Sequence, residues 1–204
     1  MICHELGRVS YSAGLELQNK ARARVLDGGP DELLLLEHDP VVTLGRRGGV
    51  VDSSALRSLQ TPVIETDRGG LATWHGPGQL VGYPIVNLSR AGLKVPRFVE
   101  ILGEILAREA RSHGVEGAAY DCARPGVYVE NRKLAAIGLH LHRGVSSHGF
   151  AFNVNNTLEG FNAIVPCGLN DLGVTTLERE TEREMDVEVV LRSVRSEVLS
   201  RLSS

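Results

Sequence analysis

Apolar residues recur at helical spacing in three stretches of the chain. Leu17, Ala21 and Val25 share one face of a segment of good helix formers from Tyr11 to Leu26, closed by Gly28-Gly29-Pro30. Pro96 suits the first turn of a second helix, in which Phe98, Ile101, Leu102, Ile105 and Leu106 follow the 3.6-residue period to about Ala110. Asp186 opens a third, whose Val187, Val190, Leu191, Val194, Val198 and Leu202 form a continuous stripe. Strand patterns lie between them. Leu33 to Glu37 and Val41 to Leu44 read as buried strands around the Asp39-Pro40 turn, and Pro62 to Thr66 follows a short helix capped by Asp52 that runs to Leu59.

Further on, Val127 to Glu130 and Lys133 to His142 flank an Asn131-Arg132 turn. Ile137, Leu139 and Leu141 alternate there with Gly138, His140 and His142, the period-2 mark of a half-buried strand. In the next strand His148, Phe150, Phe152 and Val154 are expected on one face, with Gly149, Ala151 and Asn153 on the other. Runs of adjacent strands, with helices between the runs and at the ends, predict an α+β fold whose mainly antiparallel or mixed sheet is flanked by helices. No repeat, linker or charge block interrupts residues 1–204, which read as one domain.

Composition removes several functions. Lys+Arg total 22 against Asp+Glu 25, a net charge of −3, with Arg interleaved among Glu, so no basic surface for nucleic acid is expected. No apolar run approaches the ~20 residues that cross a bilayer. The start, MICHELGRVS, resembles neither a signal nor a transit peptide, so a cytoplasmic protein without membrane attachment is expected. The three cysteines, Cys3, Cys122 and Cys167, are odd in number and widely spaced, which argues against disulfides and CxxC metal sites.

Three segments carry candidate chemistry. In the stretch from Arg68 to Leu80, four glycines, a proline, His75 and Arg68 describe a loop whose backbone approaches a ligand; structural turns around a short strand are the plainer reading. It lacks the P-loop pattern. In the second, Gly138 and Gly149-Phe150-Ala151 leave room on a strand face for an acyl chain against Phe150 and Phe152, where the plainer reading is ordinary strand packing. Lys133, beside a turn, reads alone as a solvated lysine. His140 and His142, at i and i+2, permit metal ligation but have no third ligand nearby, and no metal is expected. In the third, Pro166 and Gly168 hold Cys167 in a tight turn whose N–H groups at Gly168 and Leu169 can face an oxyanion. A nucleophilic Cys167 wants a neighbouring cation or base, for which Lys133, His75 and His148 are candidates; an inert core thiol is the alternative.

Taken in order, Glu37-His38-Asp39-Pro40, Thr43-Leu44-Gly45-Arg46, Arg68-Gly69-Gly70, Trp74-His75-Gly76-Pro77-Gly78-Gln79-Leu80-Val81-Gly82-Tyr83-Pro84, Arg124-Pro125-Gly126-Val127, Lys133 with Ala136-Ile137-Gly138, Ser147-His148-Gly149-Phe150, Pro166-Cys167-Gly168 and Asp171-Leu172-Gly173-Val174-Thr175 resemble the octanoyltransferases of lipoic-acid biosynthesis. Trp74 stands where that family often has Tyr, and Leu71 where it often has a polar residue. The resemblance implies the fold of the biotin and lipoate protein ligase catalytic domain. It also implies attack of Cys167 on the octanoyl thioester of acyl carrier protein, an acyl-enzyme thioester, and transfer to a lysine ε-amine.

Lys133 is implied as the partner of Cys167. Arg68, Gly69, Gly70, Leu71, Ala72, Thr73, Trp74, His75, Ala136, Ile137, Gly138, Gly149, Phe150 and Ala151 are implied as the substrate-binding segments, with His75 and His148 in supporting roles that orient the thioester or the dyad. Gly76 and Gly78 are expected to line the same pocket. The octanoyl group arrives on the carrier's phosphopantetheine, and neither ATP nor metal is implied. The acceptors implied are lipoyl domains of 2-oxoacid dehydrogenase complexes and the glycine cleavage H protein. Arg46, Arg47 and Arg143 are candidates, by position, for docking these acidic proteins.

An ATP-dependent lipoate or biotin ligase of the same fold has no need of Cys167, and a lipoyl-domain amidotransferase would differ in its donor. A non-catalytic acyl-carrier binding module would have no use for a paired Lys and Cys.

Overall fold

The computed structural model describes residues 1–165 and 173–202. Strand β1 (Ile2–Val9) leads through Ser10, whose hydroxyl accepts the Ala13 N–H, into helix α1 (Tyr11–Leu26). β2 (Glu32–His38) and β3 (Val41–Leu44) follow, then the short β4 (Val50–Val51). Asp52 caps α2 (Ser53–Ser58) by accepting the Ser54 and Ala55 N–H groups. Next come β5 (Val63–Glu65), β6 (Thr73–His75), β7 (Gln79–Ile85) and the long helix α3 (Val95–Ser112). Four strands fill the second half, β8 (Ala118–Asp121), β9 (Gly126–Val129), β10 (Arg132–His142) and β11 (Val145–Asn153). The chain ends with α4 (Glu159–Asn162), β12 (Ile164–Val165), β13 (Gly173–Val174), α5 (Leu177–Thr181) and α6 (Val187–Leu202).

The main sheet runs β1-β2-β7-β11-β10-β9-β8, with β13 added alongside β10. Its interior pairs are antiparallel, while β1 on β2 and β13 on β10 are parallel, so the sheet is mixed, in agreement with the predicted class. One face is covered by α3 and α6. Phe98, Leu102, Ile105 and Leu106 meet Val190, Val194 and Val198 there, over Phe150, Phe152 and Leu134 of the sheet. Each large side chain fully buried in this layer contributes roughly 1.5–3 kcal/mol. The α3–α6 contact is pinned by buried Glu109, which accepts Ser193 Oγ–H at 2.6 Å and lies 2.9 Å from His113 Nε2.

The other face is covered by α1, and here the periodicity reading needs a correction. The buried stripe is Tyr11, Gly14, Gln18, Ala21 and Val25, while Leu17 is only partly covered. The reason is local. A Cβ at Gly14 would stand 2.8 Å from His38, and Gln18 turns inward so that its Oε1 accepts the His148 N–H at 2.7 Å. A three-stranded sheet, β5-β3-β6, sits beside the main one and carries the loop between β5 and β6. That loop reaches β10 through the Gly69 N–H, which donates to the Leu139 carbonyl at 2.9 Å. Gly138 must be glycine at this crossing, since a Cβ would stand 2.7 Å from the Gly69 oxygen. Among the described residues, no helix is long and apolar enough to cross a membrane.

Candidate active site

The crossing of this loop over β10 and β11 walls a cavity of about 470 Å³, within the ordinary range for small-molecule sites. Every residue of the two implied strand segments lines it, Ala136, Ile137 and Gly138 on β10 and Gly149, Phe150 and Ala151 on β11. So do Arg68, Gly69, Gly70, Leu71, Ala72, Thr73 and His75, together with Lys133 and His148. Trp74 does not. Successive side chains of β6 alternate, so Thr73 and His75 face the cavity while Trp74 packs among Val42, Leu56, Ala163 and Ile164, edge-on to Phe161 at 5.5 Å. Gly76 and Gly78 also fall outside the lining. Gly76 lets the Trp74 ring lie against the backbone, and Gly78, at φ 85°, fits beneath Asn155 and Asn156.

The Arg68 guanidinium is committed to the protein. Nη2 donates to the Thr43 carbonyl and hydroxyl, both at 2.8 Å, Nε donates to the same hydroxyl at 3.1 Å, and Nη1 donates to the Gly69 carbonyl at 3.1 Å. Arg68 therefore shapes the loop, and what it offers a ligand is charge. His75 is held just as fully. Gln79 Nε2 donates to Asn153 Oδ1 and the Trp74 carbonyl, leaving Gln79 Oε1 to accept His75 Nδ1–H at 2.7 Å. Burial above all, then the nearby His38 and Arg68, drives the His75 pKa down to about 3, so the ring stays neutral.

His148 departs from the predicted alternation. Its backbone is left-handed, φ 56°, and the ring lies 6.5 Å from that of Tyr83, on the α1 side of the sheet, whereas Phe150 and Phe152 belong to the α3 side. His148 Nε2 is 2.6 Å from Asp67 Oδ1, and His140 Nε2 is 3.4 Å from Asp67 Oδ2. His140 is thus paired with a carboxylate, and no cluster of three metal-ligating side chains is found among the described residues. Burial lowers the His148 pKa despite Asp67.

Lys133 lies at the opposite end. Burial, followed by repulsion from Arg124, Arg68 and Arg47, lowers its pKa, and its Nζ sits 5.4 Å from the centre of the Tyr128 ring. Solvation does not hold it, contrary to the plainer reading of an isolated surface lysine. Arg124 stacks on the other part of this group, 4.9 Å from the same ring, and pairs with Asp121 at 2.8 Å. Cys167, with Pro166, Gly168 and Leu169, lies outside the described residues. In β13, which follows it in sequence, Val174 is registered with Lys133 and the Thr175 N–H donates to the Lys133 carbonyl. Arg47 lines the cavity and Arg46 is exposed beside it, whereas Arg143 sits in the β10–β11 turn at the far end of the strand.

Sequence reasoning did not single out Tyr11, Asp67 or Tyr128, or give Tyr83 a role of its own. Tyr11 and Tyr83 line the cavity as aromatic rings, and the Tyr83 hydroxyl donates to His38 Nε2 at 2.6 Å, because His38 Nδ1–H is spent on the Val9 carbonyl. Tyr83 stands within the quoted Gly82-Tyr83-Pro84 run, which was its only signal. Asp67 gave none, since its role depends on two histidines brought together by strand pairing.

Residues 10–199 match the family described as lipoyl protein ligase A/B catalytic domain. The chain is 43% identical to an octanoyltransferase of Nocardia farcinica over 210 residues, covering 100% of this chain and 82% of that protein. It is 45% identical to an octanoyltransferase of Mycolicibacterium gilvum, covering 97% and 83%. It is 46% identical to one of Caldicellulosiruptor bescii, covering 87% and 80%. Among solved structures, a bipartite lipoate protein ligase of Thermoplasma acidophilum superimposes with a TM-score of 0.74 at 16% identity, over 99% of this chain and 83% of that one. A biotin protein ligase of Leishmania major in complex with biotinyl-5-AMP gives a TM-score of 0.62 at 13% identity, over 99% and 75%. At such identities the structural likeness establishes the fold.

Proposed function

From the fact that this chain belongs to the octanoyltransferase family, on the lipoyl protein ligase A/B catalytic domain, and so transfers acyl groups in lipoate biosynthesis, we propose that it works through a thioester on Cys167 assisted by Lys133. An acyl donor and a lipoyl-domain acceptor follow from that activity. The donor in this reading is octanoyl-acyl carrier protein, and the acceptors are lipoyl domains of 2-oxoacid dehydrogenase complexes and the glycine cleavage H protein.

The observation that carries the dyad is the state of Lys133, an amine withdrawn from water and crowded by three guanidinium groups. Both influences favour the neutral form, and in this reading Lys133 takes the Cys167 proton as sulfur attacks the octanoyl carbonyl. The new C–S bond to Cys167 replaces the C–S bond to phosphopantetheine, and Lys133 returns the proton to the departing thiolate. While protonated, Lys133 stabilises a thiolate nearby. In the second half, the acceptor lysine's neutral amine attacks the acyl-enzyme carbonyl. Its surplus proton passes by way of Lys133 to the released Cys167 sulfur, leaving an octanoyl amide.

The group transferred is already activated as a thioester, so ATP has no part in this sequence. The ring-lined cavity accommodates the alkyl chain. The test is octanoyl transfer from octanoyl-carrier protein to a purified lipoyl domain with nucleotide omitted. Product is expected with the native chain and none with Cys167→Ser; strict dependence on ATP would overturn the reading in favour of a ligase.

A further inference from the structure

Lys133 and Leu139 are six residues apart on β10, a span of roughly 20 Å at the usual strand rise, and the cavity extends along it. Its two ends differ in exposure. At the Lys133 end, Arg47, Ala123, Arg124 and Pro125 are exposed; at the Leu139 end, Tyr11, His75, Tyr83 and His148 are buried. An acyl chain whose thioester reacts beside Lys133 therefore enters from the exposed end and directs its methyl terminus toward the rings.

Most of these rings are backed by protein. His75 rests on Gln79 and Thr43, Tyr83 on His38, and Tyr11 stacks on His75 with centroids 6.0 Å apart. His148 is different. Its partner Asp67 has a side chain that is 55% exposed, while the His148 side chain itself is 4% exposed. The imidazole thus divides the cavity from solvent. The residue is fastened at both backbone and ring, its main-chain N–H donating to Gln18 Oε1 and its Nε2 pairing with Asp67, which His140 approaches from the other carboxylate oxygen. A left-handed backbone at a non-glycine residue costs roughly 1–3 kcal/mol, and persists where its surroundings enforce it.

We propose that His148, held by Asp67, is the stop that limits the length of acyl chain this enzyme transfers. The proposal rests on the placement of the reacting thioester beside Lys133. Removing the ring opens the inner end toward the solvent-exposed side of Asp67, so longer chains pass where the octanoyl methyl group would end. Loss of Asp67 frees the ring without removing it and has a smaller effect of the same kind.

The variant of choice is His148→Gly, because glycine favours the observed φ and keeps the backbone turn. Transfer rates with octanoyl-, dodecanoyl- and tetradecanoyl-carrier protein are compared at equal donor concentration. The dodecanoyl-to-octanoyl ratio is expected to rise about tenfold or more in His148→Gly, since the ring no longer blocks the four further methylenes and burying about two of them suffices for that factor. His148→Asn, which tolerates the same backbone and refills part of the space, should return the ratio toward the native value, and Asp67→Ala should raise it less than His148→Gly. An unchanged ratio in His148→Gly with octanoyl transfer intact overturns the proposal. So does an equal loss at all chain lengths in a variant whose thermal melt is native, which would make His148 a participant in the chemistry. Should Lys133→Ala retain full transfer, the placement of the thioester fails, and with it the direction assigned to the chain.

Discussion

The two ends of the cavity are built from opposite materials. Around Lys133 the structure gathers cations, with Arg47, Arg68 and Arg124 acting on one desolvated amine, and exposes its rim. At the inner end it gathers neutral rings whose polar atoms are already spent on Gln79, His38 and Asp67. The first arrangement leaves a group short of stabilisation as a charge, which is what proton transfer uses. The second leaves no unsatisfied donor aimed by His75 or Tyr83 at an alkyl chain, so it governs shape. In the proposed reading, reactivity at Lys133 of β10 and selectivity at His148 of β11 are separated along the length of this strand pair.

The largest break in that contrast comes from Lys133→Ala, which should lower kcat/KM by roughly 10²–10⁴-fold. Lys133→Arg should fall nearly as far, because a guanidinium keeps the charge but cannot give up a proton. Recovery of activity by arginine would show that charge alone suffices. Next is Trp74→Ala. Since Trp74 packs in the satellite core beside Phe161 and outside the cavity, it should lose about 3–5 kcal/mol of stability by urea unfolding, with KM for the donor unchanged at a temperature where the variant is folded.

The smallest effect is the pH response of the inner end. Both folded and unfolded His75 are neutral above 6.5; as pH falls from 6.5 toward about 3, only the unfolded chain takes up the proton, so stability is lost on acidification. At pH 5 the loss from this one ring is about 2 kcal/mol, and buried His38 and His148, also shifted downward, add to it in the same direction. Denaturant unfolding at pH 7 and pH 5 should show a shallower loss in His75→Gln than in the native chain. An identical slope would mean that His75 titrates freely.

Where burial is one-sided, the sequence is readable. The stripes of α3 and α6 appear in the structure much as their periods predict, because each packs one face and leaves the other to solvent, whereas on β10 the loop over Gly138 and the Asp67 contact of His140 cover the second face, and Gly138 to Leu141 are all half-buried. β7 escapes detection for the opposite reason. Its residues Gln79–Ile85 are buried on both faces, so no period survives, and Pro84 argues against a strand although it lies beyond the part of β7 that pairs with β11. β1 is a partly exposed edge strand whose parallel register with β2 cannot be read from its own residues.

At the site, the glycine loop and the strand segments are legible through their ordered motifs. The outward turn of Trp74 is legible only from β6 alternation once the strand is known, and the inversion at His148 needs the left-handed backbone that Gln18 and Asp67 hold in place. Asp67 illustrates the limit. Its two histidine partners are distant in sequence and meet only because Leu139 is registered with His148 across β10 and β11.

The central claim, a covalent relay through Cys167, is tested most directly by intact-mass analysis after mixing the protein with octanoyl-carrier protein and no acceptor. The account predicts one octanoyl adduct, mapped to Cys167, lost in Cys167→Ser and discharged when a lipoyl domain is added. Transfer to the lipoyl domain by a Cys167→Ser variant, or an adduct that survives in it, would contradict the account.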